Sequence, residues 1–136
     1  MEFQYYKIKK LNDISLPRSF NGVVILLNVN IDDKDNVDLR NLLMNILNAI
    51  KIKIENCLII NVDTNKTLIS ALVAHKPVKN IIAFGIHPDM INFKANLMPY
   101  RVLKISDKNI LFSASLNDLS NNNGLKQKLW KSIKTI

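Results

Sequence analysis

Residues 22–50 read Gly-Val-Val-Ile-Leu-Leu-Asn-Val-Asn-Ile-Asp-Asp-Lys-Asp-Asn-Val-Asp-Leu-Arg-Asn-Leu-Leu-Met-Asn-Ile-Leu-Asn-Ala-Ile, and two periods meet in them. The run from Val23 to Val29 is apolar and rich in β-branched residues without alternation, which predicts a strand buried on both faces. Asn30 to Asp35 is polar and predicts a loop. Beyond it Leu39, Leu42, Leu43, Ile46, Leu47 and Ile50 recur at i, i+3, i+4, i+7, i+8 and i+11, one apolar stripe at helical period. Asp35 is the expected N-cap, and Asp38 suits the positive end of the helix dipole. A strand that is apolar on both sides, followed by a helix that is apolar on one, predicts a helix laid against a sheet.

The same alternation continues outward. Cys57 to Val62 is a second apolar run, and a helix capped by Asp63 or Thr64 is expected through about Ala74, with Leu68, Ile69, Leu72 and Val73 facing inward. Pro77 stops it. Asn80 to Phe84 is a third buried strand ending at Gly85, and residues 85–100 are a loop. Arg101–Ile105 and Asn109–Ser113 read as two short strands around the turn at 106–108. A last helix is expected from about Leu125, with Leu125, Leu129, Ile133 and Ile136 as its stripe and Trp130 beside them. Strands alternating with helices imply parallel pairing through right-handed crossovers. The fold class is therefore α/β: a three-layer α/β/α domain with a mainly parallel central sheet of about four or five strands. Residues 1–20 mix Phe3, Tyr5, Tyr6 and Phe20 with lysines, Leu11, Ile14 and Leu16 without a period, and Pro17 interrupts any helix. They read as an arm, either packed loosely or docked on a partner, with a short helix folded back on the body as the alternative. Residues 21–136 read as one domain.

Composition narrows the function classes. The chain has 136 residues, of which 48% are hydrophobic and 22% charged, enough for one domain with a core and too apolar for disorder. With 3 glycines there is no Gly-rich phosphate cradle, and no G-x-S-x-G, P-loop or G-x-G-x-x-G is present. The net charge is +8 and the pI about 9.7, which favours nucleic acid, a membrane surface or an acidic protein face; a coding bias towards Lys, Asn and Ile explains the same charge as solubility. The nearest thing to a basic face is Lys126, Lys128, Lys131 and Lys134. The single cysteine, Cys57, excludes an internal disulfide and lies in an apolar run, so a buried thiol in a reducing cytoplasm is expected. The N-terminus lacks the apolar core of a signal peptide, and no stretch approaches the roughly 18–20 apolar residues of a membrane span. The expectation is a soluble, cytoplasmic protein.

Chemistry in an open α/β sheet belongs beyond the carboxyl ends of the strands. The most suggestive of these is Phe84-Gly-Ile-His-Pro-Asp89, which sets Gly85, His87 and Asp89 after a buried strand. Gly85 admits a close backbone approach, and His87 can serve as a base or donate to phosphate; a plain turn with a solvated histidine is the competing reading. His75 is the other histidine, and no two-histidine metal spacing exists. Ser113 and Ser115 follow a strand without a neighbouring histidine. Asp32, Asp33 and Asp35 cluster after the first strand, where helix capping competes with cation binding. No metal or cofactor is expected, and no catalytic residue is assigned.

Two stretches carry a resemblance. Ile81-Ile-Ala-Phe-Gly-Ile-His-Pro88 is similar to the strand-Gly-x-x-Pro segment of the uracil-DNA glycosylase fold, with His87 where active glycosylases carry an acidic or amide residue that handles water. The glycosylases' second signature, a His-Pro-Ser type loop, would fall near Phe112-Ser-Ala-Ser-Leu116, which has no histidine. The second stretch is Leu116-Asn-Asp-Leu119, an Asn-rich turn, and Lys126-Gln-Lys-Leu-Trp-Lys-Ser-Ile133. It resembles the C-terminus of the psi subunit of the bacterial DNA polymerase III clamp loader, where a Leu-x-x-Leu turn leads to a helix bearing a Leu-Trp pair. The resemblance is best over 80–136. It implies a non-catalytic subunit on a glycosylase-like scaffold, bridging the clamp-loader ATPase subunits to chi and, through chi, to single-stranded DNA-binding protein. It also implies docking of the N-terminal arm, here Tyr5, Tyr6, Leu11, Ile14 and Leu16 by position, on the clamp-loader collar. With the glycosylase signatures altered, Gly85, His87 and Asp89 become a candidate vestigial pocket. The alternatives are a nucleic-acid enzyme of the same fold, altered in specificity, and a basic nucleic-acid-binding module.

Overall fold

The computed structural model describes residues 19–62, 77–87, 100–105 and 107–135. In chain order their elements are β1 (Val23–Leu27), α1 (Val37–Ala49), β2 (Leu58–Asn61), β3 (Asn80–Phe84), β4 (Leu103–Ile105), β5 (Lys108–Ser113), α2 (Leu116–Asn121) and α3 (Asn123–Ile133). The strands form one sheet in the order β2-β1-β3-β5-β4. β1 pairs in parallel with β2 and β3, and β3 with β5, while β4 runs antiparallel along β5. The expected parallel set and the short hairpin are both present. The turn of that hairpin places Asp107 at φ 68°, a left-handed position that Asp tolerates better than most residues.

Register explains why the strands are apolar on both sides. Ile25 aligns with Ile59 and Ile82, and Ile82 with Leu111; these side chains fall on one face. Val24, Ile81 and Ile110 align on the other, as do Leu26, Ile60, Ala83 and Phe112. Each face carries its own buried cluster. The first is closed by Leu39, Leu43, Ile46 and Leu47 of α1, Leu116 and Leu119 of α2, and Leu129 and Ile133 of α3. The second holds Val24, Leu26, Ile81, Ala83 and Ile110 at zero exposure. A sheet sealed on both faces is the expected environment for parallel strands. Phe20, assigned to the arm by composition, packs half-buried against the second cluster.

Three local expectations are corrected. Asp35 does not cap α1: a 3-10 turn over Lys34–Asn36 precedes the helix, Asp33 accepts the Asp35 backbone N–H, and Asn36 stands at the N-cap with no side-chain bond to the helix, its amide donating instead to the Asn30 carbonyl at 2.7 Å. The chain begins to coil one turn early, so the capping carboxylate is the one before that turn. Residues 116–121, expected as a turn, form α2, which Ser115 caps by accepting the Asp118 N–H at 3.1 Å. α3 begins at Asn123 rather than Leu125 because Asn122 caps it, accepting from the Leu125 N–H. The helix expected at 63–74, His75 and Ile136 lie outside the described residues. Cys57 is buried as expected.

Candidate functional site

β1 stands between β2 and β3, so the chain leaves its carboxyl end towards one neighbour and returns to the other side of it. That is a topological switch point, where an open α/β sheet leaves a crevice. Three strand ends meet there: Asn28 follows β1, Gly85 follows β3, and Ser115 follows β5. Gly85 adopts φ 69° and donates its N–H to the Ser113 carbonyl at 2.9 Å. A Cβ at this position would lie 2.7 Å from the Ser115 Cβ and 2.9 Å from the Asn28 Nδ2. Glycine is thus required twice, by its backbone angle and by the side chains pressed over it.

The hydroxyls at this end are tied to the backbone. Ser115 caps α2, and Ser113, itself buried, donates to the Ala114 carbonyl at 3.0 Å. The Asn28 side-chain oxygen is buried, with no hydrogen-bond partner among the described residues. Ile86 points into the second cluster, while His87 is exposed; Asp89 lies outside the described residues. Asn28 was not singled out from sequence, and Ser115 was read only as a serine after a strand with no histidine near it. Their signal was a polar residue ending an apolar strand, and a serine three residues before an aspartate in a short capping pattern.

Other candidates resolve into structural roles. Asp32 pairs with Arg40 at 2.8 Å, and Asp33 caps the 3-10 turn. No group of three or more His, Cys, Asp or Glu that could hold a metal occurs among the described residues. The Cys57 thiol donates to the Lys53 carbonyl and accepts from the Asn21 amide; burial pushes it above its ordinary pKa, with the Asn21 hydrogen bond opposing and the Glu55 charge adding to the rise. Tyr100, at φ 65°, is bound three ways: its N–H donates to Phe112, its hydroxyl accepts from the Ala114 N–H, and its carbonyl accepts the Ser132 hydroxyl. It ties the end of β5 to α3.

The basic face lies on α3. Lys128, Lys131 and Lys134 are exposed and Lys126 is half-buried; the Lys134 Nζ stands 5.6 Å from the centroid of the Trp130 ring. Leu129, Ser132 and Ile133 form the buried side of the helix. The arm residues Tyr5, Tyr6, Leu11, Ile14 and Leu16 lie outside the described residues. No helix among the described residues is long and apolar enough to cross a membrane. Comparison with protein-family models, curated proteins and solved structures finds no match to this chain.

Proposed function

We propose that the chain is a non-catalytic, psi-like subunit of a bacterial DNA polymerase III holoenzyme, joining clamp-loader ATPase subunits to a chi-like subunit and thereby to single-stranded DNA-binding protein. The observation that carries this reading is the closure at the switch point. The space into which a side chain at Gly85 would project is taken by Asn28 and Ser115, and the two neighbouring serine hydroxyls are bonded to backbone groups. A hydrolase needs a nucleophile or a water held beside a proton carrier. Here His87 is exposed at the rim. The parallel core of the sheet, in the order β2-β1-β3-β5, further supports a glycosylase-like scaffold, and the α2-α3 pair occupies the Leu-x-x-Leu and Leu-Trp stretch on which the resemblance rests.

The reading is tested by reconstitution. The full chain is mixed with purified clamp-loader ATPase subunits and a chi subunit from the same source, and the mixture is resolved by size-exclusion chromatography. Co-elution of all components, with the chain required for chi to join the ATPases, is expected. Separate elution of a folded chain from both partners would overturn it. If docking runs through the arm, Tyr5→Ala with Leu11→Ala releases the ATPase subunits while leaving the chi complex intact.

A further inference from the structure

We propose that the outer face of α3, with Lys126, Trp130 and Lys134 in one row and Lys131 in the next, is a contact site for single-stranded nucleic acid. Residues four apart on a helix are surface neighbours, so Lys126, Trp130 and Lys134 form one ridge about 12 Å long. From Leu119 to Ile136 the chain has no Asp or Glu. None of these lysines is ion-paired among the described residues, where the ion pair recorded joins Arg40 to Asp32. The ridge is therefore a block of uncompensated charge around a half-buried indole, whose ring the Lys134 ammonium already approaches.

Chemistry selects among the anionic partners. A membrane-lying helix needs a free apolar face, but that of α3 is buried against the first cluster through Leu129 and Ile133. A protein interface has an apolar, Lys-poor centre, which the lysine-lined outer face of α3 does not offer. Lysines for phosphates and an aromatic for base stacking are what single-strand surfaces combine. Trp130 can stack only on a base that is not already paired, which favours single strands over duplex.

The inference stands independently of the assembly reading, because the isolated full chain is the analyte. Its probe is labelled oligo(dT) of about 20 nucleotides, longer than one site, followed by anisotropy. Trp130 is the chain's single tryptophan, so quenching of its emission reports contact directly. Binding is expected to weaken with salt at a log–log slope near −2, about −0.7 for each of three lysines. K126Q/K131Q/K134Q should lose about tenfold or more in affinity at low salt and flatten that slope, whereas K128Q, further round the helix from the Lys126–Trp130–Lys134 ridge and beside Lys131 only, should lose less than K131Q. Trp130 also packs against the first cluster, so W130F is compared with the wild type well below the melting temperature of both, where it should weaken binding as read by anisotropy. Several results would overturn the proposal: no binding at about 50 mM salt, an unchanged slope in the triple variant, a loss in K128Q equal to that in K131Q, or duplex binding as tight as single-strand binding. Equal binding of poly-glutamate would reassign the face to an acidic protein.

Discussion

At the residue scale the informative position is Gly85. Its φ of 69° costs an alanine backbone strain, and its Cβ would meet the Ser115 Cβ at 2.7 Å. That neighbour cannot give way cheaply, since its hydroxyl caps α2. Gly85→Ala is therefore expected to destabilise the fold by about 1–3 kcal/mol, read as a shift in the urea midpoint at unchanged slope; an unshifted midpoint would mean that the closure over Gly85 is loose. Cys57 gives a second reading at this scale. Burial holds its thiol protonated to higher pH than in the unfolded chain. The unfolded thiol loses its proton first, so above its ordinary pKa, about 8.5, the unfolded state binds fewer protons and stability falls as pH rises. The stability difference between the wild type and Cys57→Ala, measured by urea unfolding, should be constant below that pH and shrink above it. A flat difference through the alkaline range would contradict the burial. The cysteine's place in the core was legible in its apolar flanks. The closure at Gly85 was not, because Asn28 and Ser115 reach it from strands that sequence places far apart.

At the element scale, legibility follows length. β1, β3 and α1 could be read because each holds its period for a whole element: Asn80–Phe84 agrees at both ends, and the α1 stripe buries Leu39, Leu43, Ile46 and Leu47. α2 escaped because six residues hold two leucines at i and i+3, too few to separate a helix from a turn. The helix starts shifted by one or two residues because the capping side chains stand further upstream: Asp33 accepts the Asp35 N–H and caps a 3-10 turn ahead of α1, and Asn122 accepts the Leu125 N–H and starts α3 at Asn123. The stripe makes a quantitative expectation possible. Leu43 has no exposure and Val37 is 52% exposed, although both lie on α1. Leu43→Ala should cost about 2–5 kcal/mol through transfer and cavity terms, while Val37→Ala should stay within about 0.5 kcal/mol. Thermal or urea unfolding separates the two, and comparable losses would mean that the helix does not bury the face assigned to it.

At the scale of the whole molecule, the alternation of strands and helices specified parallel pairing but not sheet order. A crossover can carry the next strand to either side of the last, and the choice of β1 as the strand from which both directions depart is made by packing. That choice creates the switch point, and with it the question of whether the rim does chemistry. Net charge of +8 guarantees some attraction to DNA, so binding alone cannot answer it; turnover can. On the interaction reading, incubation of the chain with uracil-containing and other damaged duplexes releases no base above background, and His87→Ala leaves both that background and DNA affinity where they were. An enzyme on the same scaffold behaves differently: base release appears, and it disappears in His87→Ala while affinity survives. The two outcomes divide on catalysis and agree on binding. A chain that meets DNA through the lysines of α3 would hold it by charge and leave its bonds intact, so the measurement that decides is free base over time at saturating protein, not complex formed.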